Sequence, residues 1–277
     1  MHAPRADGAV EAAFGRLREL LERRIGVVLA DRAYLVRDRL GPVLAAFGLR
    51  DLGSLVLALE RQSSGALSDA VVDAMTTHET SWFRDRYPFE VLRQHLLPAC
   101  WQAGRRLRVW SAACATGQEA YSLAIALAEH RRGQPALAAA DYEILGTDVS
   151  PGALRTAERG CYDARTGVRG LSPAQLERHF LRQREGWVLR PELRRAVRFQ
   201  RFNLLEDPAA FGVFDLVFLR NLLIYFAPDT QRALLERLVA CLAPGAWLVL
   251  GTAETAASSP ALLPRRLGNG VVYQRGD

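Results

Sequence analysis

The sequence contains no lysine, and all 36 basic residues among its 277 are arginine. The loop GxxxxGK[ST], whose lysine reaches the phosphates of a nucleotide, is therefore absent, and so is the GxGxxG fingerprint of dinucleotide-binding proteins. A nucleoside triphosphate is thus disfavoured as the ligand, and an NAD-dependent oxidoreductase is nearly excluded. The cysteines form no CxxC pair and resemble no metal site, which favours free thiols and predicts no metal: they are Cys100, Cys114, Cys161 and Cys241.

Long apolar runs are also missing. No stretch is long enough to cross a bilayer, and the first residues, MHAPRADGAVEAAF, lack the charged start and apolar core of a signal peptide. We therefore expect a cytoplasmic protein without membrane insertion, with a monomer as the default. The composition, 49% hydrophobic and 24% charged, is that of an ordinary soluble globular chain.

The net charge of +6 is unevenly distributed along the chain. Residues 155–201 carry twelve arginines against five acidic residues. A basic surface attracts acidic partners, and both nucleic acid and an acidic protein surface fit this sign. Because the sequence has no zinc finger and no aromatic-rich RNA motif, we do not predict a nucleic-acid partner.

The hydrophobic pattern of the chain changes about a third of the way along. Residues 1–75 have apolar positions at helical spacing, which predicts a helical N-terminal domain with Asp31 and Asp51 as helix N-caps. Residues 76–105 are interpreted as a linker that contacts the ligand. In residues 106–277 strand-like runs alternate with helices, which predicts an α/β domain whose parallel sheet is covered on both faces and binds ligands at the carboxyl ends of its strands. The strands are predicted at 107–112, 142–148, 196–202, 214–221, 246–252 and 270–275, with an insertion carrying its own short strands at about 161–198.

The stretch VWSAACATGQEAYSLA (109–124) has the pattern of a strand, a turn of very small residues and a helix. Small side chains allow the backbone to approach a ligand closely, and the N-terminus of the following helix favours an anion. Since the chain has no lysine to reach a phosphate, a ligand with an adenosine but no phosphate fits better than a nucleotide.

Acidic and amide side chains stand where the predicted strands end. Glu119 is placed either to face a cationic amino group or to favour the N-terminus of its own helix. Asp148 is placed either to accept both hydroxyls of a ribose or to cap the next helix. Asn203–Leu204 can flank a purine, and Asn221 and Tyr225 lie at the same rim. S-adenosylmethionine, which has a ribose, an adenine, a sulfonium and an amino-acid end, matches this set moderately better than NAD does.

Six motifs carry a resemblance to a known family. They are MTTHETSWFRD (75–85), VWSAACATGQEAYSLA (109–124), LGTDVS (145–150), LSPAQLERHF (171–180), NLLE (203–206) and LRNLLIYF (219–226). With these motifs in this order and spacing, the chain resembles the CheR family of bacterial chemotaxis receptor methyltransferases over nearly its whole length. The resemblance implies a small all-α domain followed by a class I, Rossmann-like S-adenosylmethionine methyltransferase domain with a small inserted β-subdomain.

The resemblance also implies an activity and a set of site residues. The activity is transfer of a methyl group from S-adenosylmethionine to glutamate side chains of chemoreceptors, which gives glutamyl methyl esters and S-adenosylhomocysteine. Arg84 and Tyr225 are implied as the catalytic residues nearest the reacting methyl group. The implied cofactor-binding residues are His78, Thr80, Arg84, Ala113, Glu119, Asp148, Asn203, Leu204, Arg220 and Asn221.

The chain departs from the family pattern at several positions. His78 stands where the family usually has asparagine, which is expected to alter cofactor affinity or its pH dependence. Gln118 and Ala120 replace a glutamate and a proline, Leu219 replaces a cysteine, and GTAE (251–254) replaces GHSE. The changes at His78 and Gln118 keep one alternative open, a non-catalytic sensor or scaffold that binds S-adenosylmethionine. The excess of arginine keeps a second alternative open, a methyltransferase that acts on nucleic acid or a small molecule.

The expected partner is the acidic, helical cytoplasmic region of chemoreceptors. Some family members bind a receptor's C-terminal pentapeptide on the β-subdomain through a longer, glycine-containing loop. The segment HFLRQREGWVLR (179–190) is about three residues shorter by comparison and resembles the members that do not bind the pentapeptide. We therefore expect the pentapeptide-independent type, docked through the basic residues Arg32, Arg37 and Arg39.

Overall fold

The computed structural model describes residues 4–28, 33–62, 64–102, 104–184 and 186–276. Helices fill the first third of the chain, and strands alternate with helices after it. The helices are α1 (Pro4–Ile25), α2 (Ala33–Ala46), α3 (Leu52–Arg61), α4 (Ala66–Met75), α5 (Tyr87–Val91), α6 (Leu97–Cys100), α7 (Gln118–Arg132), α8 (Pro151–Arg159), α9 (Pro173–His179), α10 (Pro191–Arg195) and α11 (Pro228–Ala240). The strands are β1 (Leu107–Ala112), β2 (Tyr142–Asp148), β3 (Cys161–Tyr162), β4 (Phe180–Gln183), β5 (Gly186–Leu189), β6 (Val197–Arg201), β7 (Phe214–Leu219), β8 (Leu242–Leu250), β9 (Leu262–Leu267) and β10 (Gly270–Arg275).

Helices α1 to α4 form one unit around an apolar core that includes Leu17, Leu40 and Leu55, each fully buried. The prediction of Asp51 as an N-cap is confirmed. Its carboxylate accepts a hydrogen bond from the Ser54 amide at 2.8 Å, and the Ser54 hydroxyl accepts one from the Asp51 amide at 3.1 Å, so that both unpaired donors of the helix start are satisfied. The predicted cap Asp31 lies outside the described residues. In the described part of the chain, no helix is both long and apolar enough to span a bilayer.

Among the described residues, seven strands form the main sheet in the order β6-β2-β1-β7-β8-β10-β9. The first five are parallel, as predicted, and β10 pairs antiparallel with both β8 and β9. The strand Leu262–Leu267 was missed by the sequence analysis because Pro264, Arg265 and Arg266 interrupt its apolar pattern. Such residues are tolerated there because β9 is the edge strand of the sheet.

The centre of the sheet is built to be covered on both faces. From Val109 to Ala112 every residue of β1 is fully buried, which is typical of a central parallel strand. Strand β1 lies between β2 and β7. The strands that follow β1 are added first on one side of it and later on the other, and a crevice is left at the carboxyl ends where the two sides meet. Strand β7 ends at Leu219, two residues before the predicted end, because Asn221 has a left-handed backbone with φ 56°.

The segment predicted as a linker is partly helical. Helices α5 and α6 are joined by a π-helical turn (Leu92–Leu96), and Phe89, Leu92 and Leu96 are buried against the main sheet's core. Two prolines obscure the helical pattern in the sequence: Pro88 is the second residue of α5, and Pro98, which has no N–H to donate, is the second residue of α6. The small second sheet, in the order β3-β5-β4, lies within the predicted insertion.

Candidate active site

A cavity opens at the carboxyl ends of β1, β2, β6 and β7, where the sheet predicts a ligand. Its empty space is about 970 Å³ including its mouth, a size typical of ligand pockets. The eleven site residues predicted from the sequence all line it: His78, Thr80, Arg84, Ala113, Glu119, Asp148, Asn203, Leu204, Arg220, Asn221 and Tyr225. The sequence analysis missed the apolar wall, to which the helical unit contributes: Ile25, Val27, Met75, Val149, Phe202, Leu222 and Phe226.

The turn after β1 has an unusual backbone. Ala113 and Ala115 have left-handed φ angles of 63° and 49°, and Gly117, with φ 94°, precedes α7. A left-handed conformation is costly for a residue with a side chain, and such strain clusters at binding and catalytic sites. The small side chains leave the backbone of this turn open toward the cavity, as the sequence predicts.

Asp148 ends β2 and is buried, with 8% of its surface exposed. One carboxylate oxygen accepts the Ser150 amide and the other the Ala115 amide, both at 2.9 Å. Burial raises the pKa of this carboxyl, and the two amides oppose the rise, as the positive charge of His78 also does. The cap of α8 is Ser150, whose hydroxyl oxygen accepts the Ala153 amide at 3.0 Å. Asp148 is therefore not the cap, and its remaining lone pairs are available to hydroxyl donors.

Glu119 lies in the first turn of α7 and is 9% exposed. Its oxygens accept a hydrogen bond from the Ser111 hydroxyl at 2.8 Å and from Nη1 of Arg220 at 3.1 Å. Burial raises the pKa of Glu119, and the charge of Arg220 opposes that rise. The carboxylate makes no hydrogen bond to the backbone amides of its own helix start among the described contacts, so it faces the cavity as a paired buried charge.

Arg220 connects Glu119 to the chain segment that precedes α5. Its side chain is only 1% exposed. Nη2 donates to the carboxylate of Asp85 at 2.7 Å and to the carbonyl oxygen of Arg84 at 3.0 Å, while Nε is buried without a partner among the described residues. Asp85 was not predicted as a site residue, although it ends the first motif. Its pairing with a residue so distant in sequence has no local signal.

The loop that carries Arg84 is strained and held from two sides. Phe83, Asp85 and Arg86 have left-handed φ angles of 47°, 64° and 51°, each of which costs roughly 1–3 kcal/mol unless the surroundings impose it. On one side the Phe83 amide donates to the Ser122 hydroxyl of α7 at 3.0 Å. The other support is the ion pair of Asp85 with Arg220. The loop is thereby fixed to the floor of the cavity.

Trp82 anchors the same loop to the insertion that contains β3 to β5. Its backbone amide donates to the carbonyl oxygen of Arg169 at 3.1 Å, and its indole N–H donates to that of Gly167 at 2.7 Å. The ring is buried between Tyr162 and Phe180 in edge-on contacts. The insertion therefore positions the Arg84 loop, a role that the sequence analysis did not foresee.

Arg84 and Tyr225 are half-buried at the cavity and have few partners. Nη1 of Arg84 donates to the carbonyl oxygen of Glu79 at 2.9 Å, which leaves its other guanidinium donors unused among the described contacts. Tyr225 ends a 3₁₀ turn (Leu223–Tyr225), and its hydroxyl makes no hydrogen bond to the described residues. Both polar groups can therefore meet a second ligand that enters from solvent.

His78 is oriented by the residue two positions before it. The Thr76 hydroxyl donates to the carbonyl oxygen of Val72 at 2.7 Å, and the same oxygen lies 2.8 Å from Nε2 of His78. Because the hydroxyl proton is already used, Nε2 carries a hydrogen and donates, an assignment made from the hydrogen-bond network. The imidazole is thus held by Thr76, the residue that follows α4.

The two asparagines of the cavity also have partners. Asn203 donates to the carbonyl oxygen of Arg24 at 2.5 Å and accepts the Leu205 amide at 3.1 Å, so it joins the end of α1 to the turn after β6. The backbone N–H of Asn221 donates to Oε2 of Glu254 at 2.8 Å, and the same carboxylate oxygen accepts the backbone N–H of Gly251 at 2.7 Å. A Cβ on Gly251 would lie 2.6 Å from that oxygen, so this turn requires glycine.

The chemistry of this cavity fits S-adenosylmethionine. Two buried carboxylates, Glu119 and Asp148, suit an ammonium group and a ribose diol, and the apolar wall suits an adenine. Neither group is a phosphate, and the cavity has no lysine to bind one. A doubly covered parallel sheet with this site at its carboxyl edge is the arrangement expected of an S-adenosylmethionine-dependent methyltransferase.

Comparison with known proteins agrees and narrows the class. Residues 78–265 match the model of the CheR methyltransferase SAM-binding domain, and residues 12–76 match that of the CheR methyltransferase all-alpha domain. The chain therefore belongs to the CheR methyltransferase family, as the motifs indicated, and uses S-adenosylmethionine.

Several curated relatives are similar over most of their length. Chemotaxis protein methyltransferase 1 of Pseudomonas aeruginosa is 44% identical over 256 residues, which are 91% of this chain and 93% of that protein. Chemotaxis protein methyltransferase Cher2 of Pseudomonas putida is 40% identical over 266 residues, 94% and 97% of the two chains. The chemotaxis protein methyltransferase of Escherichia coli is 35% identical over 253 residues, 88% and 84% of the two chains.

Proposed function

We propose that this methyltransferase modifies glutamate side chains of chemoreceptors and forms glutamyl methyl esters for sensory adaptation. The relatives described above are named chemotaxis protein methyltransferases. The observation that carries the proposal is the position of Arg84 and Tyr225. They line the same cavity as the two buried carboxylates, but they are half-exposed and keep polar groups that have no partner among the described residues. A cation and a phenol in this position suit an incoming carboxylate.

We assign the parts of the cofactor to the predicted residues. Asp148 accepts the ribose hydroxyls, and Glu119 faces the amino group of the methionine end. Leu204 packs on the adenine, whose edge meets the remaining N–H of Asn203. Arg220 acts on the cofactor through Glu119, because its guanidinium is already paired with that carboxylate and with Asp85. The other assigned contacts are His78, Thr80, Arg84, Ala113 and Asn221.

The proposed substrate needs no general base. A glutamate side chain with an ordinary pKa near ~4.3 is ionised at pH 7. When bound, S-adenosylmethionine would supply a methyl group on its sulfonium: the ionised oxygen of the substrate would gain the bond to carbon, and the electron pair of the broken bond would stay on sulfur. No proton moves in this step.

The protein has to remove water from the substrate carboxylate and orient one of its oxygens for reaction. Orientation of two reactants contributes roughly 7–11 kcal/mol in well-organised cases. The guanidinium of Arg84 holds one oxygen of the substrate as a planar fork, which leaves the other oxygen to react. Tyr225 packs its ring beside the methyl group and donates its hydroxyl to the substrate. The strained, doubly anchored loop keeps Arg84 in place before the substrate arrives.

We further propose that the receptor docks at the exposed side of α2. Arg37 and Arg39 are exposed on this helix, and an acidic receptor helix has the complementary charge. Arg32 lies outside the described residues.

The proposal of the pentapeptide-independent type rests on the hairpin of β4 and β5, whose strands are separated by residues 184–185 alone. This connection is too short for a further binding loop.

The test is methyl transfer to receptors. The protein is incubated with methyl-labelled S-adenosylmethionine and with membranes that carry the chemoreceptors of its source, and the labelled receptor is then treated with alkali. We expect label on the receptor band that alkali releases as volatile methanol, since only a carboxyl ester yields methanol. Arg84→Ala, matched for cofactor binding by calorimetry, is the negative control.

Two results would contradict the proposal. Label that alkali does not release means another acceptor atom. Binding of S-adenosylhomocysteine without transfer to any member of a panel of single receptors means a sensor or scaffold, the alternative that the motif departures leave open.

A further inference from the structure

Helix α4 of the helical unit reaches into the turn that follows β2. Oδ1 of Asp73 accepts the Ser150 hydroxyl at 2.5 Å and the Gly152 amide at 3.0 Å. Its other oxygen lies 3.5 Å from Nη2 of Arg155. Asp73 thus contacts both the residue that caps α8 and the first turn of that helix.

The same turn holds Asp148 at the cavity. The Ser150 amide donates to Asp148, while the Ser150 hydroxyl donates to Asp73. Val149, between these residues, packs against the apolar core of the helical unit. Ser150 is therefore fixed between two carboxylates, one in the cavity and one on α4, and a shift of Asp73 is transmitted to the turn that carries Asp148.

The start of α8 explains why a carboxylate is suitable here. The first amides of a helix have no partners within the helix. Ser150 accepts the Ala153 amide, and Asp73 accepts the Gly152 amide, so each of these two donors has its own acceptor. A negative charge at this end is also favoured by the helix dipole.

Gly152 makes the close approach of Asp73 possible. A Cβ on Gly152 would lie 2.5 Å from Oδ2 and 2.9 Å from Cγ of Asp73. Any side chain at this position therefore displaces the carboxylate. Gly152 does not have a positive φ, so its backbone tolerates alanine and only the contact with Asp73 is lost.

We propose that Asp73 is a positioning residue for the cofactor, through which the helical unit holds the turn that presents Asp148. The inference rests on the proposed assignment of the ribose to Asp148. Asp73 does not line the cavity, so it acts through its contacts with Ser150 and Gly152. The helical unit thus contributes to cofactor binding beyond its apolar wall residues.

The test measures the Kd of S-adenosylhomocysteine by calorimetry, together with the melting temperature of each variant. For Asp73→Ala we expect the Kd to rise about tenfold, which corresponds to about 1.4 kcal/mol. Asp69→Ala is the matched control. Asp69 lies one turn earlier on α4 and pairs with Arg201 at 2.7 Å, but it touches neither Ser150 nor Gly152. For this control the Kd is expected within about twofold of the wild type.

Gly152→Ala provides an independent route to the same contact. Alanine is the better helix former, so loss of fold does not account for weaker binding. We expect its Kd to rise as in Asp73→Ala, and the double variant to bind no more weakly than either single one, because both remove one interaction.

The inference would be overturned if Asp73→Ala and Gly152→Ala had the same Kd for S-adenosylhomocysteine as the control Asp69→Ala. Asp148→Ala separates this failure from that of the proposed function. If Asp148→Ala loses binding while Asp73→Ala does not, only the positioning role is wrong. If Asp148→Ala binds as the wild type does, the ribose assignment itself is wrong, and the inference falls with it.

Discussion

The cavity has two sets of charged and polar side chains, and they are held in different ways. Glu119 and Arg220 are buried and paired with each other, with Ser111 and with Asp85, so segments distant in sequence fix them. Arg84 and Tyr225 are half-exposed and, in the part of the chain that the structure describes, keep unpaired polar groups. Removing a buried member leaves a partner unpaired in low dielectric, while removing a half-exposed member leaves the fold intact. The comparison separates what builds the site from what is free to meet the substrate.

Arg84→Ala gives the largest expected effect. We expect turnover on receptors to fall about 100- to 1000-fold, the cost of removing one preorganised donor at a developing reaction centre. The Kd of S-adenosylhomocysteine is expected to rise far less than turnover falls, because Glu119 and Asp148 remain. Single-turnover methyl transfer and calorimetry measure the two quantities.

The neighbouring arginine supplies the control. Arg86 lies on the same strained loop with φ 51°, but it does not line the cavity. Arg86→Ala should therefore retain turnover, and Arg84→Lys should not restore it, since an ammonium lacks the planar fork. If Arg84→Ala abolishes cofactor binding, its proposed role toward the substrate is wrong.

The buried set is tested by Glu119→Ala. Arg220 then keeps only Asp85 as a charged partner, and we expect the free energy of unfolding to fall by about 3 kcal/mol, at the lower end for a broken buried pair. Urea denaturation measures this loss, with Glu119→Gln as the variant that keeps the size and an acceptor oxygen. A loss below about 1 kcal/mol, as surface pairs show, would end the distinction between the two sets.

Tyr225→Phe sharpens the comparison within the half-exposed set. The ring stays while the unpartnered hydroxyl is removed, so stability and cofactor binding should not change. We expect turnover to fall about tenfold, the value of one hydrogen bond made in the transition state. Wild-type turnover in this variant would restrict the role of Tyr225 to packing.

The difference between the two sets also explains what the sequence could predict. Glu119 and Asp148 follow strands, and strand ends of a parallel sheet meet at one edge, so their place in the cavity follows from local pattern. The pairing of Asp85 with Arg220 and the contact of Asp73 with Gly152 depend on how distant segments pack. No spacing in the sequence encodes them. Helices α5 and α6 were missed because prolines interrupt the period, and β9 because its edge position tolerates arginine and proline.

Which of the cavity residues contact the cofactor stays a prediction. Asn203 illustrates why, since its amide could equally be read as a purine contact or as a link between segments. The structure places it at the cavity and joins it to Arg24 at the end of α1. One of its two side-chain N–H groups is used in that hydrogen bond, and the other stays available to a purine.

The smallest expected effect is on the pH dependence of stability, for which Glu119 is compared with a paired carboxylate outside the cavity. Glu129 accepts a hydrogen bond from Nε2 of His179 at 3.0 Å, and this bond lowers the pKa of Glu129 below its ordinary value of 4.5 despite partial burial. The pair therefore stabilises the fold above pH 4.5, and this contribution is lost as pH falls through the lowered pKa. Arg178 and Arg93 act in the same direction.

The pKa of Glu119 shifts in the opposite direction to that of Glu129, because burial raises it above 4.5. Its folded state binds a proton more readily than the unfolded chain, so its contribution is greatest below pH 4.5 and declines as pH rises through the raised pKa. Unfolding of the wild type, Glu119→Gln and Glu129→Gln in urea across this range measures both. The two pH windows should lie on opposite sides of 4.5, with the Glu129 difference below about 1 kcal/mol. If both differences change in the same window, the charge of Arg220 outweighs burial at Glu119, and the buried set behaves as an ordinary surface pair.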